Sequence, residues 1–299
     1  MDVCVIGGSR YFGRRLIEDL RDAGAAVTVV NRGSTPAPPG VTHLRADRDD
    51  ETALRAALAG RSFDVVIDQV CYSPLQAAVA ARVFAGRTRR YVMTSTVEVY
   101  AERGRPGGAA LTEEAVDPST GPVDLDLPWT DGGFLDGHYG EGKRQAEALF
   151  TRQAAPFDFV SVRTAHVLGG ADFTGRLAHY VERIERGLPV VVHAAPQPAS
   201  FVHEAEIARF LAWAAAADFT GPVNAASHGA LDARALSAAI GRALGRAAAA
   251  ESVVRPGEPV SPYSFDRCYA MDTTRATRLG FPFSAVADWL PLVVKETVR

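Results

Sequence analysis

The sequence predicts an α/β protein built on a doubly wound parallel sheet, followed by a smaller C-terminal domain. Three features predict it. A β-branched run, a glycine turn, a helical pattern and a second β-branched run follow one another between Asp2 and Asn31. Apolar runs then alternate with helix-period segments as far as about residue 163, and beyond that point the alternation lapses. Strict strand–helix alternation places helices on both faces of a parallel sheet. The 299 residues suit one large α/β domain or such a domain with a smaller appendage.

Each element has its own signal. Asp2 to Ile6 is a continuous apolar run, as expected of a strand covered on both faces. Gly7, Gly8 and Gly13 surround a turn, and Phe12, Leu16, Ile17 and Leu20 then recur at helical spacing from a start near Tyr11. Gly24 reads as a left-handed helix cap, and Val27 to Val30 as a second strand that stops at Asn31-Arg32-Gly33. After the loop STPAPPG, a short strand is expected around Val41 to Leu44, a helix over 50–60 and a strand from Phe63 to Asp68. A helix over about 75–86 and a strand beginning at Arg90 to Thr94 follow. Residues 101–137 are rich in Gly, Pro and Asp, and so long a loop in a compact domain reads as a pocket wall. A helix over about 138–154 and a strand from Phe157 to Arg163 complete the alternation. The remainder predicts helices near 174–187, 204–217, 232–245 and 284–294 and a strand near 189–193, with AAAA at 247–250 too short for low complexity.

Composition narrows the function. Hydrophobic content of 47% and charged content of 22% are those of a globular protein, and the net charge of −3 offers no basic footprint for nucleic acid. Cys4, Cys71 and Cys268 stand apart without metal-ligand spacing, which suggests reduced thiols in the cytoplasm. With a strand expected from residue 2, no signal peptide is anticipated, and FLAWAAAA at 210–217 is too short to span a membrane. His166, His179, His193 and His203 are close in sequence but lack helical ligand spacing, so no metal is expected.

The strand–glycine turn–helix–strand order is the unit that binds dinucleotides. Glycine lets the backbone approach a pyrophosphate, and the helix start near Tyr11 offers that anion unpaired N–H groups. Arg10 occupies the middle position of the glycine pattern, and Asn31-Arg32 stands where an NAD-binder places an acidic side chain on the ribose 2′-hydroxyl. A guanidinium fork suits phosphate oxygens, so Arg10 and Arg32 are candidates for a 2′-phosphate clamp and favour NADP over NAD. Asp47 could reach the adenine amino group or simply order its own loop. Tyr139 and Lys143 lie at i and i+4 of a predicted helix and so share a face. An ammonium beside a phenol stabilises the phenolate and brings the tyrosine closer to the range useful for proton transfer. Thr94-Ser95-Thr96 supplies hydroxyls at a strand end, where one could hold a substrate oxygen or cap the backbone.

Together GGSRYFG, TSTVEVY, YGEGK and SFVHEAEIA resemble the extended short-chain dehydrogenase/reductases, the NAD(P)-dependent epimerase/dehydratase family. The resemblance covers nearly the whole chain and is specific in the first 165 residues. It implies a Rossmann domain over 1–165 with strand order 3-2-1-4-5-6, its sheet completed by parts of 200–226, and a mainly substrate-binding domain over 166–299. Aligned on the VY that follows, the catalytic hydroxyl falls on Thr96, with Tyr139 as acid/base and Lys143 as its partner. GGSRYFG and VNRG resemble a bacterial branch related to chloroplast stem-loop-binding proteins.

Departures from the family pattern carry information. Val97 precedes Glu98 where dehydratases carry an Asp-Glu pair, so dehydration is disfavoured. Gln197-Pro198-Ala199-Ser200 lacks the arginine that often precedes Phe201 in nucleotide-sugar enzymes, and Glu206 replaces the usual aspartate.

The expected cofactor contacts are Gly7, Gly8, Ser9, Arg10, Tyr11, Phe12, Gly13, Asn31, Arg32, Asp47 and Arg48, with Tyr139, Lys143 and His166. The expected substrate contacts are Ser73, Glu98, His166 and Arg176, beside an aromatic wall of Trp129, Phe134, Phe173, Tyr180 and Phe265. The expected activity is NADP(H)-dependent reduction of a ketone, or oxidation of the alcohol, on a small molecule. The alternatives are a nucleotide-sugar 4-epimerase or 4-ketoreductase, and a non-catalytic, RNA-binding relative of the fold. A cytoplasmic homodimer is expected, formed through helices 75–86 and 138–154, the first bearing Leu75, Ala78, Val79 and Val83 at helical spacing.

Overall fold

The computed structural model describes residues 1–152, 157–247, 251–254 and 259–298. The last two residues of the helix expected over 138–154, and all but the first of the alanines at 247–250, lie outside them. The elements run β1 (Asp2–Ile6), α1 (Tyr11–Asp22), β2 (Ala26–Asn31), β3 (Thr42–Arg45), α2 (Glu51–Ala57), β4 (Phe63–Asp68), α3 (Pro74–Phe84) and β5 (Thr88–Thr96). They continue with α4 (Gly132–Gly137), α5 (Tyr139–Arg152), β6 (Asp158–Thr164), β7 (His166–Leu168), α6 (Arg176–Glu185), β8 (Val190–Val192) and β9 (Phe201–His203). The chain ends in α7 (Glu204–Ala216), β10 (Gly221–Ala225), α8 (Ala233–Leu244), β11 (Glu251–Val253), α9 (Thr274–Arg278) and α10 (Val286–Thr297). Among the described residues no helix is long and apolar enough to cross a membrane.

Two compact units emerge: Met1–Val99, Glu113–Thr164 and Ala208–Val223 form the first, and Tyr100–Thr112, Ala165–Ile207 and Asn224–Arg299 the second. The first is built on a seven-stranded sheet in the order β10-β6-β5-β4-β1-β2-β3, a Rossmann arrangement in which the strands from β6 to β3 pair in parallel. Its central strands are buried on both faces, which is why they read as unbroken apolar runs. Against β4 and β5 the core stacks aromatics: Tyr91 lies 4.8 Å from Phe150 and 5.1 Å from Phe157, centroid to centroid. The second unit holds the parallel pairs β7–β9 and β8–β11, with α6, α8 and α10 packed on one another.

Residues 101–137 depart from the expected loop. Tyr100–Thr112 joins the second unit, while the stretch from Glu113 covers the outer side of α5. There Gly121 sits against Ala148, Asp124 N–H donates to Gln145 Oε1 (2.8 Å), and Trp129 lies against Gly142. The chain thus buttresses one side of α5 with its own residues. Ala78 and Val83 of α3 are likewise core residues.

Candidate active site

The carboxyl ends of β1, β2, β4 and β5 converge on one edge of the first unit, where parallel sheets bind ligands. Gly7 and Gly8, at φ +76° and +72°, occupy the left-handed region that favours glycine. A Cβ on Gly13 would lie 2.6 Å from Gly8 Cα and 2.5 Å from Gln69 Oε1, so only glycine lets α1 start this close to the turn. Tyr11, at φ 51°, adopts a conformation that side chains seldom tolerate, and it packs edge-on against Phe12. No side chain caps α1. Its first N–H groups and the buried Gln69 Nε2, which has no hydrogen-bond partner, are donors of the kind that a pyrophosphate satisfies. The turn therefore fits the phosphates of a dinucleotide.

At the end of β2, Asn31 is the joint. Its Nδ2 donates to Ser9 Oγ (2.7 Å), and its Oδ1 accepts from Gly33 N–H (2.7 Å) and from His43 Nε2 (2.9 Å). Arg10 and Arg32 are exposed on either side, with Arg10 Nε donating to Thr35 Oγ1 (3.1 Å). Arg45, paired with Asn31 across β2 and β3, runs beside Gly33 and adds a third guanidinium that the sequence reading did not include. Asp47 is half-buried and orders its own turn, accepting from Asp49 N–H (3.1 Å).

The groups expected to handle the proton lie where β5 ends and α5 begins. Lys143 is buried, and its Nζ donates to the carbonyl of Thr94 (2.7 Å). The same Nζ lies 5.8 Å from the Tyr139 ring centroid and 4.6 Å from that of Tyr72. Tyr139 is half-buried, and Thr96, at the tip of β5, accepts from Glu98 N–H through Oγ1 (3.2 Å). Ser95 points to the opposite face and donates to Glu147 Oε1 (2.5 Å). Glu147 in turn pairs with Arg163 (2.6 Å), both fully buried, and Arg163 also donates to the carbonyls of Glu113 and Val116 (2.8 Å each). Ser95 is thus committed to the core, while Thr94 Oγ1 is buried without a hydrogen-bond partner and Thr96 stands at the strand end.

Two helix glycines make this geometry. A Cβ on Gly140 would collide with the Glu98 carbonyl, and one on Gly142 with the Tyr72 carbonyl. Their absence seats α5 directly on the segments that follow β4 and β5. The alternation Tyr-Gly-Glu-Gly-Lys, poor in helix propensity, was the available signal for this close approach. Tyr72 itself escaped the sequence reading.

Burial drives the Lys143 pKa down to about 8. Asp68 and Glu147 oppose the fall and Arg48 adds to it. Cys71 would help only as a thiolate, and burial pushes that thiol up to about 12. Burial also works against the Arg48 charge, but Asp68 more than offsets it and the pKa rises. Arg48 Nη1 meets both Asp68 oxygens at 2.9 and 2.7 Å, and Nη2 donates to Gln76 O (2.9 Å). The guanidinium expected on a cofactor therefore joins β4 to α3.

Other expected contact residues have partners or surroundings within the chain. Ser73 caps α3 by accepting from Gln76 N–H (3.3 Å) and is buried. Glu98 presents its backbone to Thr96 and Gly140. Trp129 is buried on α5 with Nε1 donating to Asp124 O (2.7 Å), and Phe134 packs edge-on against it. In the second unit, Tyr180 is a core residue whose hydroxyl donates to Pro262 O (2.5 Å). His166 stacks on Phe265 at 5.3 Å; burial lowers its pKa to about 3, and its Nε2 has no hydrogen-bond partner. Arg176 hydrogen-bonds Tyr263, and Phe173 is 70% exposed. Among the described residues, no His, Cys, Asp or Glu group of metal-binding size comes together.

Comparison with known proteins places this geometry in context. Residues 3–79 match the model described as the NAD dependent epimerase/dehydratase family. The chloroplast stem-loop binding protein of 41 kDa b of Arabidopsis thaliana is 23% identical over 207 residues, 64% of this chain. The chain spans about half, 48%, of that relative's length. The UDP-glucose 4-epimerase of Thermotoga maritima, solved with UDP-glucose, superposes with a TM-score of 0.76 at 17% identity, covering 99% of this chain and 98% of that one. The dTDP-glucose 4,6-dehydratase of Bacillus anthracis, in complex with NAD, gives 0.75 at 13% identity over 99% and 96%. The Thermus thermophilus UDP-glucose 4-epimerase complex with NAD gives 0.69 at 20% over 100% and 99%. At these identities the structural likeness is one of fold.

Proposed function

We propose that this chain, a member of the NAD dependent epimerase/dehydratase family, is an NADP(H)-dependent oxidoreductase that reduces a ketone, or oxidises the alcohol, on a small molecule. The observation that carries the reading is the Lys143 ammonium, tethered to the Thr94 carbonyl beside Tyr139 at the strand end that bears Thr96. In this reading the Thr96 hydroxyl and the Tyr139 phenol hold the carbonyl oxygen. The bound nicotinamide cofactor supplies or accepts the hydride. Tyr139 gives its proton to the oxygen as charge develops there, and Lys143 stabilises the phenolate left behind. The glycine turn, the α1 N–H groups and Gln69 meet the pyrophosphate. Support for NADP comes from Arg10, Arg32 and Arg45 around the end of β2, where Asn31 stands in place of a carboxylate.

The test is Tyr139→Phe, which keeps the ring and removes the hydroxyl. Turnover in a screen of ketones against NADPH oxidation is expected to fall about 10²–10⁴-fold with cofactor affinity retained. Near-normal turnover would assign the proton to another group. A second reading, a nucleotide-sugar 4-epimerase, is favoured by the fold it shares with epimerases solved with UDP-glucose and with NAD. Calorimetry with UDP, GDP and dTDP in the presence of NADP separates the two. The ketone-reductase reading expects no binding, and micromolar binding of any of them favours the epimerase.

A further inference from the structure

We propose that Tyr72 is a positioning residue for Lys143, its ring face holding the buried ammonium in place beside Tyr139. Nζ stands 4.6 Å from the Tyr72 centroid, nearer than the 5.8 Å to Tyr139, and the two rings are 6.0 Å apart. An ammonium has three N–H donors, and one goes to the Thr94 carbonyl. The negative face of an aromatic ring attracts a cation most strongly where water is excluded.

The placement of Tyr72 is built rather than incidental. Its backbone N–H donates to Gln76 Oε1 (2.6 Å), and the next residue, Ser73, caps α3, so the ring is carried on a fixed helix start. Gly142 rests on the Tyr72 carbonyl, which brings Lys143 alongside the ring.

The charged and titratable groups around Lys143 leave this task to the ring. Asp68 is paired in two hydrogen bonds with Arg48 and accepts from the Tyr91 hydroxyl (2.5 Å). Glu147 is paired with Arg163 and accepts from Ser95. Cys71 is a neutral thiol, and burial holds the Tyr72 phenol above its ordinary pKa, so it too is neutral. Each nearby carboxylate already has a cation of its own, whereas the face of Tyr72 meets Lys143.

The catalytic meaning of this contact rests on the role given to Lys143 above, but its test needs no substrate. The chain has two lysines, Lys143 and the exposed Lys295. Protein labelled with ¹³C-lysine therefore gives two ε-methylene resonances, which Lys295→Arg assigns. The unmodified protein is expected to show a Lys143 signal moved upfield by a ring current, with a nuclear Overhauser contact to the Tyr72 ring protons. Tyr72→Phe should retain the upfield position and the Lys143 titration midpoint. Tyr72→Leu should abolish the ring-current shift and lower the midpoint by about one pH unit. Absence of the Tyr72 contact in the unmodified protein would overturn the proposal. So would a folded Tyr72→Leu variant with an unchanged or raised midpoint. Should Tyr72→Leu not fold, Tyr72→Phe decides: a midpoint lowered by that variant would credit the hydroxyl, not the ring face, and overturn the proposal. A failure of the Tyr139 reading would leave all of these signals unchanged.

Discussion

Lys143 is one of two lysines in a chain whose other permanently cationic side chains are arginines. An arginine is charged at any relevant pH, whereas a lysine is a point charge that burial can tune. With its pKa lowered to about 8, the ammonium is present below that pH and lost above it. The kcat/KM profile is therefore expected to decline on the alkaline side with a midpoint near 8, and a profile flat to pH 10 would remove Lys143 from the chemistry. Glu147 supports the same helix from inside the core. Glu147→Ala strands the buried Arg163 charge and should lower unfolding free energy by about 3–5 kcal/mol in urea titration. The placement of Tyr139 and Lys143 on one helix and of Thr96 at a strand end was legible because spacing and strand ends constrain it. The inward partners of Arg48 and Ser73 were not legible because a side chain's partner depends on which segment folds against it. Asp68 reaches Arg48 across twenty residues, and no local pattern announces that.

The elements divide by how much of their signal is local. β1, β2, β4 and β6 were foreseen within a residue or two because strands buried on both faces are continuous apolar runs. The short strands β7, β9 and β11, three residues each, carry no period of their own and were not foreseen. Residues 113–129 read as a pocket-wall loop because their apolar side chains meet α5 without regular spacing. The seat of α5 yields a prediction. Gly142→Ala ought to gain about 1 kcal/mol of helix propensity, but its Cβ would enter the Tyr72 carbonyl. A net loss of about 1–3 kcal/mol is expected, read as a lower thermal midpoint. A stabilised variant would show that α5 does not press on that segment.

At the scale of the molecule, the helix-pair dimer expected from the apolar stripes remains a proposal. Ala78 and Val83 face the core of one copy, Leu75 and Val79 are half-buried, and among the described residues no large apolar side chain of α3 or α5 is exposed. Arg82 of α3 instead pairs with Glu51 at 2.8 Å on the surface. A dimeric mass by light scattering at micromolar concentration, lost when charges are placed at Leu75 and Val79, is expected, and a monomeric mass would count against the dimer. The fold was legible in outline because one repeated strand–helix rhythm specifies it, while the substrate is not written in any such rhythm. The cofactor is the nearer question. Two charge-assisted contacts of about 1.5–3 kcal/mol each to a 2′-phosphate would separate the affinities for NADPH and NADH by well over tenfold. The decisive measurement is fluorescence titration of the purified protein with each cofactor. The account predicts saturable binding of one NADPH per chain, weaker binding of NADH, and a gap narrowed by Arg32→Ala; no saturable binding of either cofactor would contradict it.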